Sequence, residues 1–156
     1  MQPGLSLGRG AAIYKNTRFD VGARGRIEIG NFVMINGAEI ICDDRLRIGA
    51  YSLISWNVVV MDSYRAPRPI ADRRNYLRAL SEDSGRAVNL ASAAHAIDIG
   101  ENVWIGHDVV VLPGVSIGNG SVVGARSVVV DRIPDYCIAA GNPARIIRRL
   151  EPPAGP

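Results

Sequence analysis

Aliphatic residues recur at every sixth position along much of the chain. A spacing of six fits neither a helix, with 3.6 residues per turn, nor a single strand that alternates its side chains. It is typical of a strand-and-turn unit repeated around a triangular coil, with three units in each coil. The aliphatic anchors fall in four runs: Leu7, Ile13 and Phe19; Ile29, Ile35 and Ile41; Ile48, Ile54 and Val60 after one slipped residue; and positions 99, 105, 111, 117, 123 and 129.

A small or β-branched residue follows many of these anchors four positions later. We expect the anchor to point into the prism and the small residue to fit beside it near a corner, where Gly and Asn tolerate tight turns. The sequence therefore predicts a parallel β-helix with short strands stacked coil on coil. The small residues are Val33, Ser52, Val58, Val103, Val109, Val115, Ser121 and Ser127.

The period breaks after Val60 and resumes at Ile99, so we predict one domain over residues 1–149 with an inserted loop at 61–98. Pro67 and Pro69 argue against a regular element at the start of the loop. Residues 72–80 are predicted to form a short helix. A loop of this length in a compact solenoid is usually functional or disordered.

At the other end, Asn142-Pro143 has the residue types of a helix start, with Asn as N-cap and Pro at the first position. This predicts a short C-terminal helix through 144–150. Residues 150–156 are rich in Pro and are predicted to be a disordered tail.

The composition of the chain excludes some classes of protein and function. The chain has 156 residues, of which 47% are hydrophobic and 21% charged, and this excludes a disordered protein. Of the 18 basic residues only Lys15 is a lysine, and a net charge of +3 is too small to indicate nucleic-acid binding. Clustered Arg would instead suit a phosphorylated ligand. Cys42 and Cys137 are expected to be buried thiols.

No apolar run approaches the 18 residues of a membrane span, and the first ten residues do not read as a signal peptide. Membrane insertion is therefore not expected, and the expected location is the cytoplasm.

The run Asp98 to Arg148 contains the strings VWIG, LPGVSIG, SVV and AGNPA. Together they resemble the hexapeptide-repeat acyltransferases, and more narrowly the branch of maltose and galactoside O-acetyltransferases and the acetyltransferases of polysaccharide synthesis. The resemblance covers roughly residues 25–149. It implies an all-β fold, a left-handed parallel β-helix of about five coils with one long inserted loop and a short C-terminal helix.

The resemblance also implies a homotrimer that moves an acetyl group from acetyl-CoA to a hydroxyl or amine. In this family the inserted loop reaches over the neighbouring subunit and helps to wall the active site. The base in this branch is a His, in a motif that reads Met-Asp-x-x-x-His-Pro.

Here residues 61–67 keep every framing residue of that motif, but Ala66 stands in place of the His. Ala has no group that accepts a proton, so the family mechanism cannot run unchanged. Three explanations stay open: an inactivated variant, a natural member that uses another base, and a natural non-catalytic member. His95, at the end of the inserted loop, is the first alternative base.

Carried over position by position, the resemblance implies acetyl-CoA contacts along the later repeats and after the AGNPA string. Arg126 departs from the Gly usual in relatives, Val130-Asp131 departs from Thr-Lys, and Arg132 is the candidate to replace that Lys. Trp104 is a candidate to pack along the pantetheine arm or at the trimer interface. The implied cofactor-binding residues are Trp104, His107, Ala125, Arg126, Val130, Asp131, Arg132, Arg145 and Arg148.

On the acceptor side, Asp43 falls where sugar-acetylating relatives hold acceptor hydroxyls, and Asn36, Asn57 and Asp62 are further polar candidates. The two His residues, twelve apart, do not supply a three-His zinc site, and no Cys-x-x-Cys pair exists, so no metal is expected.

The sequence therefore predicts an acetyl-CoA-dependent O- or N-acetyltransferase for a sugar or sugar-like acceptor. Two alternatives remain. One is a non-catalytic hexapeptide-repeat trimer that binds a ligand or serves as a scaffold, and the other is an antibiotic-modifying acetyltransferase.

Overall fold

The computed structural model describes residues 4–82 and 93–154. The chain winds through three parallel sheets in turn, which we name A, B and C. The strands are β1 Gly4–Leu7, β2 Ala12–Ile13, β3 Arg18–Val21, β4 Arg26–Ile29, β5 Met34–Ile35, β6 Glu39–Cys42, β7 Arg45–Ile48, β8 Leu53–Ile54, β9 Val59–Met61, β10 Ile97–Ile99, β11 Trp104–Ile105, β12 Val110–Val111, β13 Ser116–Ile117, β14 Val122–Val123, β15 Val128–Val129, β16 Cys137–Gly141 and β17 Ala144–Arg149.

Each coil contributes one strand to each sheet. Sheet A is ordered β1-β4-β7-β10-β13, sheet C is β15-β12-β9-β6-β3, and sheet B is β17-β16-β14-β11-β8-β5-β2. Neighbouring strands are parallel except for β16 and β17. This is the left-handed parallel β-helix of about five coils that the resemblance implied, and the prediction of fold class is confirmed.

The core is a column of aliphatic side chains inside the prism. The six anchors from Ile99 to Val129 are at most 2% exposed, and the eight predicted small residues are also buried. Burial of this apolar surface stabilises the fold, at roughly 25 cal/mol for each Å² removed from water.

One anchor was assigned wrongly. Ile41 points outwards, and its neighbours Ile40 and Cys42 are fully buried instead. The reason is the register: the turn before β6 is one residue shorter than in the next coil, so Ile40, not Ile41, pairs with the anchor Val60, and Ile41 faces outwards. The first coil is also less buried, because within the described residues it packs against a neighbouring coil on one side only; Leu7 is 52% exposed.

Buried serines join successive coils. The Ser121 hydroxyl donates to the carbonyl of Pro134 at 2.7 Å and accepts from the backbone N–H of Cys137 at 3.1 Å. Ser52 makes the same kind of double contact, to Gly100 O and from Val103 N. Each hydroxyl thus satisfies backbone groups at a corner, where no strand partner is available.

The predicted C-terminal helix is wrong. Residues 144–149 form β17, which returns antiparallel to β16 after a turn at 141–143. Gly141 has φ of 108°, which lets the chain reverse. The adjacent β-branched Ile146 and Ile147 favour a strand, and the hairpin covers the last edge of sheet B. Leu150 donates its N–H to Tyr136 O, and residues 151–154 are exposed.

The inserted loop leaves the coil after β9. It forms helix α1, Ile70–Glu82, slightly longer than the predicted 72–80. None of the helix residues is buried within one chain, and Ile70 and Leu77 are 65% and 58% exposed. Residues 83–92 of the loop lie outside the described residues.

Cys42 and Cys137 are buried free thiols, as predicted. In the described part of the chain, no helix has the length and apolar character needed to cross a membrane.

Candidate active site

The outer surface of sheet B carries an apolar groove of about 410 Å³. The hexapeptide register builds it. Because an anchor points inwards, the residue before it and the two after it face outwards, and equivalent positions of successive coils stack into columns. The lining residues are Met34, Asn36, Leu53, Ser55, Trp56, Trp104, Gly106, His107, Val122, Val123, Gly124 and Ala125.

One column of the groove runs Trp56, His107, Ala125 at the turn from sheet B to sheet C. The Trp56 and His107 rings stack with centroids 5.8 Å apart and an interplanar angle of 15°. Two backbone bonds fix this column: Asp108 N donates to Trp56 O, and Arg126 N donates to His107 O. The imidazole is therefore held in a defined plane at the groove wall.

The charged neighbours of His107 come from the adjacent turn position. Asp108 Oδ2 lies 4.0 Å from His107 Nε2 and 3.7 Å from Arg126 Nε. The Arg126 side chain is 81% exposed, so its interaction with Asp108 is screened by water. Asp108 and Arg126 both have positive φ, 57° and 60°, at the tight corner.

Polar groups also lie along the groove. The Trp104 indole N–H donates to Ser55 Oγ at 3.4 Å, which ties the ring to the coil below. Gly106 keeps the coils close, because a Cβ there would lie 2.8 Å from the backbone N of Ala125. The structure thus brings together Asn36, Trp104, His107 and Ala125, four of the predicted site residues.

A second cluster lies where sheet C ends and the inserted loop begins. The buried Asp62 carboxylate accepts the backbone N–H groups of Asp43 and Asp44, both at 2.8 Å, and its carbonyl accepts from His95 N at 2.8 Å. His95 O in turn accepts from Gly114 N. Asp62 therefore joins the two ends of the inserted loop to the coil below.

The side chain of Arg65 forms an ion pair with the carboxylate of Asp43. Its guanidinium contacts Asp43 through Nε and Nη2, and Nη1 lies 2.7 Å from Asp20 Oδ2. The hydrogen bonds from Arg65 hold the pKa of Asp43 below its ordinary value, and the pKa of Arg65 is raised by the same contact. Burial and the nearby Asp62 raise the pKa of the Cys42 thiol to about 12.

Ala66 follows Arg65, which has a left-handed φ of 49°, and is half-buried at the start of the loop. Neither Ala66, His95 nor Asp43 lines the groove on sheet B. Within one chain the motif of residues 61–67 and the groove therefore occupy different sides of the prism.

The predicted nucleotide-side residues lie beyond the groove, near the C-terminal hairpin. Arg145 Nη1 lies 3.4 Å from Asp131 Oδ2, and Val130, Arg132 and Arg148 are exposed. Asn57 has φ of 58° and donates its N–H to Gly37 O, so its residue type is explained by the turn.

The sequence reasoning missed Trp56, Ser55 and Arg65. The repeat could have identified Trp56, because this residue follows the anchor Ile54 by two positions, just as His107 follows Ile105. The contact between Arg65 and Asp43 joins loop and coil across 22 positions, and no local pattern predicts it.

Comparisons with known proteins agree with this architecture. Residues 97–131 match the family described as bacterial transferase hexapeptide (six repeats). A candidate acetyltransferase of Saccharomyces cerevisiae is 36% identical over 120 residues, which are 77% of this chain and 50% of that protein. The chain thus spans about half the length of this curated relative.

Two solved structures are similar over 93% of this chain. The hexapeptide-repeat acetyltransferase of Vibrio cholerae, complexed with acetyl-CoA, has a TM-score of 0.76 at 27% identity, with 70% of its own chain covered. A galactoside acetyltransferase in complex with coenzyme A has a TM-score of 0.71 at 32% identity, with 64% covered.

The chain carries a hexapeptide-repeat transferase domain, and its structural neighbours are hexapeptide-repeat acetyltransferases. The family resemblance drawn from the sequence is thereby confirmed.

Proposed function

We propose that this chain is an acetyl-CoA-dependent O- or N-acetyltransferase that acts on a sugar or sugar-like acceptor. The observation that carries the proposal is the groove on sheet B. Four residues chosen from the sequence alone meet there, and its apolar wall suits the pantetheine arm of CoA. The named activity of the galactoside relative and the bound cofactors of both structural neighbours support the same reading.

Arg145 and Arg148 are proposed to hold the phosphates of CoA, because guanidinium groups donate paired hydrogen bonds to phosphate. Val130, Asp131 and Arg132 would border the nucleotide, and Arg126 would stand at the outer rim. Asn36 and Asp43 are the proposed acceptor-side groups. No metal is part of this proposal.

We propose further that the active unit is a homotrimer. Trp56 and Trp104 are 54% and 52% exposed on sheet B, and α1 has no buried residue. Such surfaces normally pack against another subunit. Packing a neighbour's inserted loop over the groove would bring the motif of residues 61–67 and the groove into one site. A cytoplasmic location remains a prediction.

A non-catalytic binding trimer is the second candidate, and two observations favour it. Ala66 lacks a proton acceptor, and Arg65 already occupies the Asp43 carboxylate. An antibiotic-modifying enzyme remains the third prediction.

The test has two readouts. Calorimetry should detect acetyl-CoA binding, and release of free CoA thiol should rise when a panel of sugars, amino sugars and hydroxyl-bearing antibiotics is added. Binding without turnover on any acceptor would favour the non-catalytic trimer. Sedimentation should give three times the 16.7 kDa chain mass; a monomer would contradict the shared site.

A further inference from the structure

We infer that His107 is the general base of this chain and supplies the proton acceptor that Ala66 lacks. The inference rests on the proposed acetyl transfer and adds the residue that performs its proton step.

The position of His107 is the first argument. Of the described residues that line the groove, His107 alone has a titratable side chain. Its side chain is 42% exposed, so a substrate in the groove can reach the ring. A base must lie within hydrogen-bond reach of the proton that it removes, so a base in the groove is better placed than one outside it.

The surroundings of the ring are the second argument. Stacking on Trp56 fixes the plane of the imidazole, and Asp108 Oδ2 lies 4.0 Å from Nε2, beyond hydrogen-bond distance. The ring can therefore present a nitrogen to the groove as the proton acceptor. Among the described residues, the charged groups near the ring are Asp108 from its own turn and Arg126 from the coil above, whose Nε lies 3.7 Å from Asp108 Oδ2, whereas Trp56 below is uncharged.

The step balances without any other reactant. The imidazole of His107 takes the proton of the acceptor hydroxyl or amine as the acceptor oxygen or nitrogen bonds to the thioester carbonyl carbon. The tetrahedral intermediate then collapses, its C–S bond breaks, and the CoA sulfur leaves with the bond electrons. The imidazolium returns its proton to that sulfur, so His107 ends the cycle neutral.

His95 is the competing base, and within one chain it lies outside the groove. Its backbone bridges Asp62 O and Gly114 N at the base of the inserted loop, and its exposed side chain is not among the groove residues.

The experiment measures thiol release from acetyl-CoA as a function of pH, with water alone and with the acceptor panel, in the unchanged protein, H107Q and H95Q. Gln keeps much of the size of His but does not take up a proton. We expect H107Q to lose about 10²- to 10⁴-fold in rate and to lose the fall in activity towards acidic pH, while calorimetry shows a much smaller loss of acetyl-CoA affinity, since His107 also lines the groove proposed for the pantetheine arm. A purely structural role would reduce binding and thermal stability and would leave that acidic limb in the residual rate.

The outcomes separate the two proposals. If the unchanged protein turns over and H107Q keeps that turnover, the role of His107 is overturned and acetyl transfer stands. The same conclusion follows if turnover disappears in H95Q instead. Acetyl-CoA binding with no turnover in the unchanged protein overturns both.

Discussion

The Arg65 guanidinium and the Asp43 carboxylate form a two-pronged ion pair, with Nε 3.0 Å from Oδ2 and Nη2 2.8 Å from Oδ1. Asp43 is the position at which the family resemblance implies contact with acceptor hydroxyls. In this chain a side chain from the residue next to Ala66 already fills that place. The pair also ties the start of the inserted loop to the coil below.

The first prediction concerns the pH dependence of this pair. Because Arg65 lowers the folded-state pKa of Asp43, the pair adds stability above the unfolded-state pKa of about 4, and that stability is lost as the pH falls through the folded-state value. Arg65→Gln should raise the pKa of Asp43, which an NMR titration of its carboxyl carbon measures. The loss of stability at neutral pH should be only about 1 kcal/mol, because the pair is partly exposed.

Arg47→Gln is the matched control for Arg65→Gln. Arg47 also contacts a carboxylate, that of Asp98 at 3.7 Å, but on sheet A. It should leave the titration of Asp43 unchanged. An Asp43 titration that is the same with and without Arg65 would contradict the ion pair.

The second prediction concerns the phosphates of CoA. A charge-assisted contact contributes roughly 1.5–3 kcal/mol, so each lost contact should weaken binding about ten-fold or more. Arg145→Ala with Arg148→Ala should therefore weaken CoA binding and flatten its dependence on salt, as measured by calorimetry at several ionic strengths. Arg47→Ala, which removes a charge from sheet A, should have little effect. Equal CoA affinity in the double variant would remove both residues from the nucleotide site.

The third prediction concerns the hydroxyl that bridges two coils. Ser121→Ala leaves the buried N–H of Cys137 without its partner, and an unsatisfied buried donor costs about 1–3 kcal/mol. The urea midpoint should fall accordingly. Ser116→Ala on the outer face of sheet A is the control and should change the midpoint little. Equal midpoints for the two variants would show that the Ser121 bridge is not needed.

The repeat explains why so much of the fold was predictable. Its period fixes which side chain points inwards, and the anchors from Ile99 to Val129 obey it because no turn between them gains or loses a residue. The expectation for Ile41 was wrong because the turn before β6 is one residue short, which makes Ile40 the partner of Val60. The helix expected from Asn142-Pro143 failed because pairing with β16, a contact made through the hairpin, outweighs a local capping signal.

The site was predictable only where it follows the repeat. Trp104, His107 and Ala125 occupy fixed positions around their anchors, so the period and the resemblance place them in one groove. The contacts of Arg65 depend on the path of an inserted loop that has no period. Their geometry therefore appears only in the folded chain.

The last prediction concerns position 66. The motif that presents a His in relatives is kept here at Met61, Asp62 and Pro67. Asp62 is buried and its carboxylate accepts two backbone N–H groups, which holds the motif in place. Ala66→His should therefore place a second base at the start of the inserted loop. If the unchanged chain has no effective base, the gain in turnover should be of the order of 10²- to 10⁴-fold, and the new activity should fall at acidic pH as the imidazole protonates.

The size of that gain also discriminates between the bases. If His107 already serves as the general base, Ala66→His should increase thiol release by much less. Adding H107Q to Ala66→His should then reduce the rate of the double variant only slightly, because the new base replaces His107. CoA binding and trimer mass should hardly change in any of these variants, since one loop side chain carries little of the packing. A variant that has His at position 66 and binds CoA but stays inactive would contradict acetyl transfer itself. Both the complete motif of residues 61–67 and the bound cofactor would then be present without turnover.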